Sequence, residues 1–452
     1  MAEKKPPAQQ NIAIAGGGWA GLAAAIELCR SGHKVTLFES SPQLGGRARS
    51  IEWNGMTLDN GQHLMIGAYQ TMLSLLSTLG SALNVDNQPL FKQLPHHLLM
   101  FDATTGAEVF ELKLPSFPAP LHLLFGILKT PFLSMVEKLQ LLIRFKRLLN
   151  TPIATDIPVN EWLDSADLPE RYRKNILDPV CLAALTTHPE RASARAFQAV
   201  LQQTFNAPAS FTDLLIPTTD LSRLFAEQAK QFILQHGGSI KTRSKLQGLQ
   251  IENNRVNSIN VNNENLHFDQ LILATPPRTT ARLLQNIEQA AQTCEQINCL
   301  RFEPVTTLYL KFSQPVSLPT RMIGMLNGHA EWVFERATSG HANVLAVVIS
   351  AEGAHLHMPA SQLTERILEE LKCCIKNLPE LLDSQLIIDK RATFQCHVDI
   401  DQYRPGTTTS LINLKLAGDY VYIEENNQPG LPSTLEGALR SGVKCAQTII
   451  SN

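Results

Sequence analysis

The stretch Leu58 to Tyr69, LDNGQHLMIGAY, places Asp59, Asn60, Gln62 and His63 against the apolar run Leu64-Met65-Ile66. An imidazole titrates near neutral pH and can hand a proton to a leaving group, and a carboxylate four residues earlier can orient it. His63 is therefore a candidate acid and Asp59 its candidate partner. Gly61 and Gly67 would let the backbone pass close to a flat ligand, with Leu64 and Met65 facing something apolar. A second candidate acid is Glu331 in EWVFER, because a carboxyl kept neutral by burial donates a proton well. An ion pair of Glu331 with Arg336 is the competing reading. Trp332, Phe334 and Arg336 in the same stretch, and Tyr403 in DQYRPG, are candidates to line a substrate cavity.

Proton donors need a reacting partner, and the N-terminal region points to one. NIAIAGGGWAGLAAAIELCRSGHKVTLFES reads as strand, glycine turn, helix and second strand, closed by Glu39. Gly16 permits the tight turn, Gly18 lets backbone approach a pyrophosphate, and Gly21 lets helix and strand pack closely. Trp19 and Ala20 then open the helix, whose free N–H groups favour an anion. Glu39, about twenty residues on, is placed to accept from ribose hydroxyls.

Two further motifs narrow the nucleotide. SSPQLGGRARS adds Gly45-Gly46 with Arg47 and Arg49, two cations suited to two phosphates. Near the other end, LKLAGDYVYIEENNQPGLPSTLEGALRSG gives a short strand, Gly418-Asp419, a loop, and a helix starting near Ser433 or Thr434. Together these motifs resemble the amine oxidase and phytoene desaturase superfamily of FAD enzymes. The resemblance implies FAD held by Arg47 and the two glycine motifs at the diphosphate, and by Gly418 and Asp419 along the ribityl chain. It places Gly61, Gln62, His63 and Leu64 beside the flavin ring, Lys245 and Leu246 at the adenine, and the Ser433–Thr434 helix start at the pyrimidine edge. A helix N-terminus there would stabilise the negative charge of reduced flavin.

The resemblance also implies an architecture: an α/β, Rossmann-like FAD-binding domain from residues 1–80, 221–299 and 396–452, interleaved with an α+β substrate or cap domain from 81–220 and 300–395. Within the cap, FPAPLHLLFGILKTPFLSMVEKLQLLIRFKRLLN (117–150) is strongly apolar and carries Lys138, Arg144, Lys146 and Arg147 against the single acid Glu137. Such a helix suits a membrane interface, and equally a lid over a cavity with its charges solvated. The two readings are compatible.

Composition bounds the setting. A chain of 452 residues with 44% hydrophobic content has ample core for two domains. A net charge of −2 gives no reason to expect nucleic acid as a partner. Eight scattered cysteines without CxxC or metal-ligand spacing point to reduced thiols in a cytosolic protein and to no metal. The N-terminal MAEKKPPAQQ lacks an apolar core and reads as a short lead, not a signal peptide. No window has the roughly 18 apolar residues of a spanning helix.

Four stretches carry a narrower likeness: LDNGQHLMIGAY, LTTHPERASARAFQAVL, LLIPTTDLSRLFAEQAKQFILQHGG and EWVFER. In this order, alongside the FAD motifs, they resemble the hydroxysqualene dehydroxylase family of bacterial squalene and hopanoid synthesis. The chain departs from the family pattern at Leu185-Thr186-Thr187-His188, where an asparagine-type residue usually precedes the threonine. The resemblance implies reduction of hydroxysqualene, a C30 allylic alcohol, to squalene and water, with hydride from reduced flavin, an acid for the leaving hydroxyl, and an apolar tunnel. Handover of substrate from upstream enzymes is compatible with that reaction, as is peripheral contact of the 117–150 segment on the inner face of the cytoplasmic membrane. A carotenoid-type desaturase or an amine oxidase remains the alternative on the same scaffold, with Tyr420 and Tyr422 the one aromatic pair near the C-terminal flavin loop.

Overall fold

A computed structural model describes residues 9–80, 84–85, 88–117, 121–168, 170–205, 208–424 and 430–451, so most of the N-terminal lead lies outside it. Five strands form a parallel sheet in the order Ser239–Lys241, Lys34–Phe38, Asn11–Ala15, Gln270–Leu273, Leu414–Leu416. The outer members come from residues more than 200 positions away from the central strand, which makes this half discontinuous in sequence. The central strands Asn11–Ala15 and Gln270–Leu273, buried on both faces over most of their length, read as short apolar runs with little alternation.

The Trp19–Arg30 and Leu435–Ile450 helices pack face to face against that sheet. Their approach depends on small residues. A Cβ on Gly442 would stand 2.1 Å from the Ala20 carbonyl oxygen, and one on Gly21 would stand 2.0 Å from that of Gly16. Gly21 thus closes helix on turn, as its position in the motif predicts.

A seven-stranded sheet forms the second layer, in the order Leu381–Phe394, Phe302–Phe312, Val344–Ser350, Trp332–Glu335, Met322–Leu326, His97–Asp102, Glu108–Lys113. One face packs Leu308, Leu310, Val347 and Ile349 with Leu363, Ile367 and Leu371 of the Ala360–Cys374 helix. Side chains alternate across a strand, so the other face presents Thr307, Val348, Ser350, Trp332 and Phe334 toward the interior of the molecule. Helices between Leu121 and Phe205 cover that interior from the far side. A three-stranded meander, Leu246–Glu252, Arg255–Val261 and Glu264–Leu266, flanks the five-stranded sheet.

Candidate active site

The interior between the layers is one cavity of about 940 Å³, running from the glycine turn of the first strand to the covering helices. At its nucleotide end the two glycine motifs meet: Gly45 N donates to the Gly17 carbonyl at 2.8 Å. Gly16 has φ +111 and would drive a Cβ to 2.3 Å from the Ala274 carbonyl oxygen, so no other residue fits. Glu39 accepts from Gly17 N and Ser41 N, each at 2.7 Å, which fixes its carboxylate at the end of the second strand.

Gly18 differs from its neighbours. A Cβ there would find only Gly46 Cα, at 3.9 Å, so nothing in the protein itself requires glycine. The open space fits the approach of a diphosphate, and this fit carries the assignment of FAD to the cradle. Gly18→Val is expected to leave the fold intact while flavin content, read as the flavin-to-protein absorbance ratio, falls at least about tenfold.

Arg47 closes the cradle in a way the sequence left open. Its Nη2 stands 2.6 Å from Asp419 Oδ1, tying the Gly45-Gly46 loop to Gly418-Asp419 across 372 residues, and Nη1 donates to the Ala392 carbonyl. Ser433 Oγ holds the other Asp419 oxygen. Thr434 caps the Leu435–Ile450 helix by accepting from Gly437 N at 3.0 Å, so the helix start faces the cavity with its remaining N–H groups. Arg49 turns aside to Ser41.

Of the residues expected at the cofactor, Gly16, Gly18, Trp19, Ala20, Glu39, Gly45, Gly46, Arg47, Gly61, Gln62, His63, Leu64, Lys245, Leu246, Gly418, Asp419, Ser433 and Thr434 all border the cavity; Gly21 lies behind it. Of those expected at the substrate, Trp332 and Phe334 line it. Met65, Arg336 and Tyr403 do not. Along Leu64-Met65-Ile66 alternate side chains face the cavity, which sends Met65 into the core behind. Tyr403 packs on His397 at 5.9 Å and on the core of the first layer.

Asp59 and Arg336 require the clearest correction. Asp59 does not orient His63. Its Oδ2 accepts from Arg336 Nη2 at 2.8 Å and its Oδ1 from Leu221 N at 2.8 Å. Arg336 Nη1 in turn donates to Gln62 Oε1 at 2.7 Å. At 2% and 4% exposure the pair is sealed beneath the loop that carries Gln62 and His63. It shapes that loop and does not touch the cavity.

His63 does border the cavity, but burial, reinforced by the Arg47 guanidinium, pulls its pKa down to about 4. It is neutral at neutral pH and can hydrogen-bond without being a strong acid. Glu331 has moved the other way. Burial pushes its carboxyl up to about 7, and its hydrogen-bond partner is Ser350, whose backbone N–H donates to Oε2 at 2.8 Å. The expected alternative, an ion pair with Arg336, is absent because Arg336 is committed to Asp59. Glu331 does not itself line the cavity; Ser350 does.

Several lining residues escaped the sequence reading. Leu123 and Ile127, Leu141 and Phe145, and Tyr172, Ile176 and Val180 each recur at four-residue spacing on covering helices, a signal that was present in the pattern. Around Ile176 the helix widens into a π-turn over Arg173–Leu177, which brings Leu177 to the cavity as well. Thr186, in the left-handed conformation at φ 49 after its helix, and His96 gave no local signal.

A family model described as flavin containing amine oxidoreductase matches residues 19–450. The chain belongs to this family. It is 26% identical over 97% of its length to a protein of Zymomonas mobilis named hydroxysqualene dehydroxylase, covering 99% of that protein. A chloroplast and chromoplast 15-cis-phytoene desaturase of an Oncidium hybrid is 23% identical, matched over 99% of this chain and 79% of the desaturase. Among solved structures, the cyclohexylamine oxidase of Brevibacterium oxydans aligns with a TM-score of 0.71 over 98% of this chain and 99% of its own, at 13% identity. Such a structural likeness establishes the shared amine oxidase fold, and the family membership establishes an FAD-dependent oxidoreductase.

Proposed function

We propose that the protein is a hydroxysqualene dehydroxylase, converting the C30 allylic alcohol to squalene and water. The observation that carries this reading is the Glu331–Ser350 pair: a carboxyl that keeps its proton near neutrality stands behind a hydroxyl on the wall of a largely apolar cavity. Loss of hydroxide as water needs such a donor, whereas removal of hydride from a polyene needs none. The full-length likeness to a protein of that name supports the same reading.

Bound FAD in its reduced form supplies the hydride. The chain's residues then have three tasks. Leu98, Phe110, Leu123, Ile127, Leu141, Phe145 and Trp332 exclude water and hold the isoprenoid arms. Ser350 Oγ hydrogen-bonds the substrate oxygen and passes it a proton, regaining one from Glu331 as the carbon–oxygen bond breaks. Neutral His63 orients the oxygen as a hydrogen-bond partner. The products balance as squalene, water and a Glu331 carboxylate that is reprotonated from solvent.

An amine oxidase is disfavoured by the second tyrosine. Tyr420 borders the cavity with its hydroxyl 3.0 Å from Thr280 Oγ1, but Tyr422 sits against the Arg404 guanidinium and outside the lining, so the two do not form an aromatic pair around a substrate. We read the substrate as arriving by handover from the enzymes that make it, at a membrane surface.

The deciding experiment mixes reduced, anaerobic enzyme with hydroxysqualene in a single turnover. Flavin reoxidation with stoichiometric squalene is expected. Formation of a more unsaturated polyene by the oxidised enzyme, with no squalene from the reduced one, would overturn the reading.

A further inference from the structure

Eleven large apolar side chains are exposed among the described residues, and seven of them fall between Phe117 and Ile143. The Met135–Asn150 helix shows why. Four of its outward residues are apolar and open: Met135 at 66%, Val136 at 66%, Leu139 at 59% and Ile143 at 62%. At 100° per residue these four share a single arc about 100° wide, and the exposed Lys146 and Arg147 fall within or next to it, one turn further on. The opposite arc carries Leu141 and Phe145, which line the cavity.

This helix is therefore apolar on both sides. A helix apolar all round is normally buried, and an open apolar arc of this extent marks a contact surface. The neighbouring Leu121–Lys129 helix repeats the arrangement, with Leu121 and Phe125 exposed, Leu123 and Ile127 on the cavity, and Lys129 open at its C-terminal end. Phe125 also meets the exposed Phe117 edge to face at 5.1 Å. The wall between the cavity and the exterior is here one helix thick.

We infer that the outward face of these two helices docks on an anionic phospholipid bilayer, and that the C30 alcohol passes between the helices directly from the bilayer into the cavity. Two features of this face favour lipid over a protein partner. Exposed Lys129, Lys146 and Arg147 border the apolar arc where phosphate headgroups would lie. The arc is also continuous, through the thickness of a helix, with a cavity suited to a molecule that dissolves in lipid and not in water. Among the described residues no helix is long and apolar enough to cross a membrane. The inference rests on the reading of the substrate as a C30 isoprenoid.

The test uses the FAD-loaded enzyme with vesicles of phosphatidylcholine alone or mixed with phosphatidylglycerol. Wild type is expected to float with the mixed vesicles and less with phosphatidylcholine alone. A variant with Met135→Ser, Val136→Ser, Leu139→Gln and Ile143→Gln is expected to lose binding by more than about tenfold, and Lys146→Glu with Arg147→Glu to lose binding to the mixed vesicles. Because these side chains do not line the cavity, turnover of detergent-dispersed hydroxysqualene should stay within about twofold of wild type for the fourfold variant, while turnover of vesicle-borne substrate falls with binding. A variant that floats as well as wild type overturns the inference. So does a wild type that ignores vesicles but forms a dimer that the variant abolishes, since the face is then a self-interface. Failure of wild type to act on detergent-dispersed hydroxysqualene would instead overturn the substrate assignment, and flotation would still report on the surface.

Discussion

Arg336→Met is expected to destabilise the folded protein by about 3–5 kcal/mol, the cost of leaving one partner of a buried ion pair alone. Asp59 would keep only Leu221 N as a donor to its carboxylate, at 2% exposure, and Gln62 would lose the bond that anchors the loop to the turn behind it. The pH dependence gives the prediction a second edge. Burial already raises the pKa of Asp59, with Arg336 opposing it; without Arg336 the rise is unopposed. A carboxyl whose folded pKa lies above its unfolded value binds more protons when folded, so stability falls as pH rises between the two. The variant should therefore lose most stability at pH 8 and recover part of it toward pH 5, measured as the urea midpoint of the FAD-loaded protein. Asp59→Asn combined with Arg336→Met should cost less than the two single changes together, because no charge is left unpaired.

This pair also shows where the sequence stopped being readable. In Trp332-Val333-Phe334-Glu335-Arg336 the period of two places Trp332, Phe334 and Arg336 on one face, and the first two do face the cavity. The strand ends at Glu335, however, and Arg336 takes φ −104, ψ 9 at the start of a short 3-10 turn, which swings its side chain under the loop to Asp59, 277 residues away. Parity holds only while the strand lasts. Asp59 to His63 has the spacing of neighbours on a helix, but these residues leave a strand at Asp59 for an extended loop, so the spacing carried no contact.

The nucleotide cradle was legible for the opposite reason. Gly16, Gly21 and Gly45 are demanded by backbone conformation or by atoms that would clash within a few residues, constraints that a local string can express. Glu39 follows because a strand of known length ends beside that turn. The covering helices lie between these cases. Their apolar and basic content announced a lid or a membrane face, but which arc of each helix meets the cavity is set by packing with the rest of the molecule.

Glu331→Gln is expected to lower turnover of hydroxysqualene by about a hundredfold or more, the lower end of what a positioned general acid contributes. The acid must carry its proton to act, so wild-type turnover should be high at pH 6 and fall as pH rises through about 7, where burial has placed this carboxyl. The amide cannot titrate, and the limb should vanish from the residual activity of the variant. Ser350→Ala should show a comparable loss, since it removes the hydroxyl that faces the cavity, but it should leave Glu331 titrating, visible as a carboxyl band in infrared difference spectra. If His63 were the acid instead, its pKa of about 4 would put the limb at acidic pH and make it sensitive to His63→Ala and not to Glu331→Gln. Stability separates chemistry from structure. The raised pKa of Glu331 means that its ionisation costs the folded state stability as pH rises from its ordinary value through about 7. A glutamine that keeps the bond from Ser350 N carries no such cost. At pH 8 the variant should therefore be at least as stable as wild type and retain its flavin while turning over about a hundredfold more slowly at pH 6, a combination that a merely structural role for Glu331 does not produce.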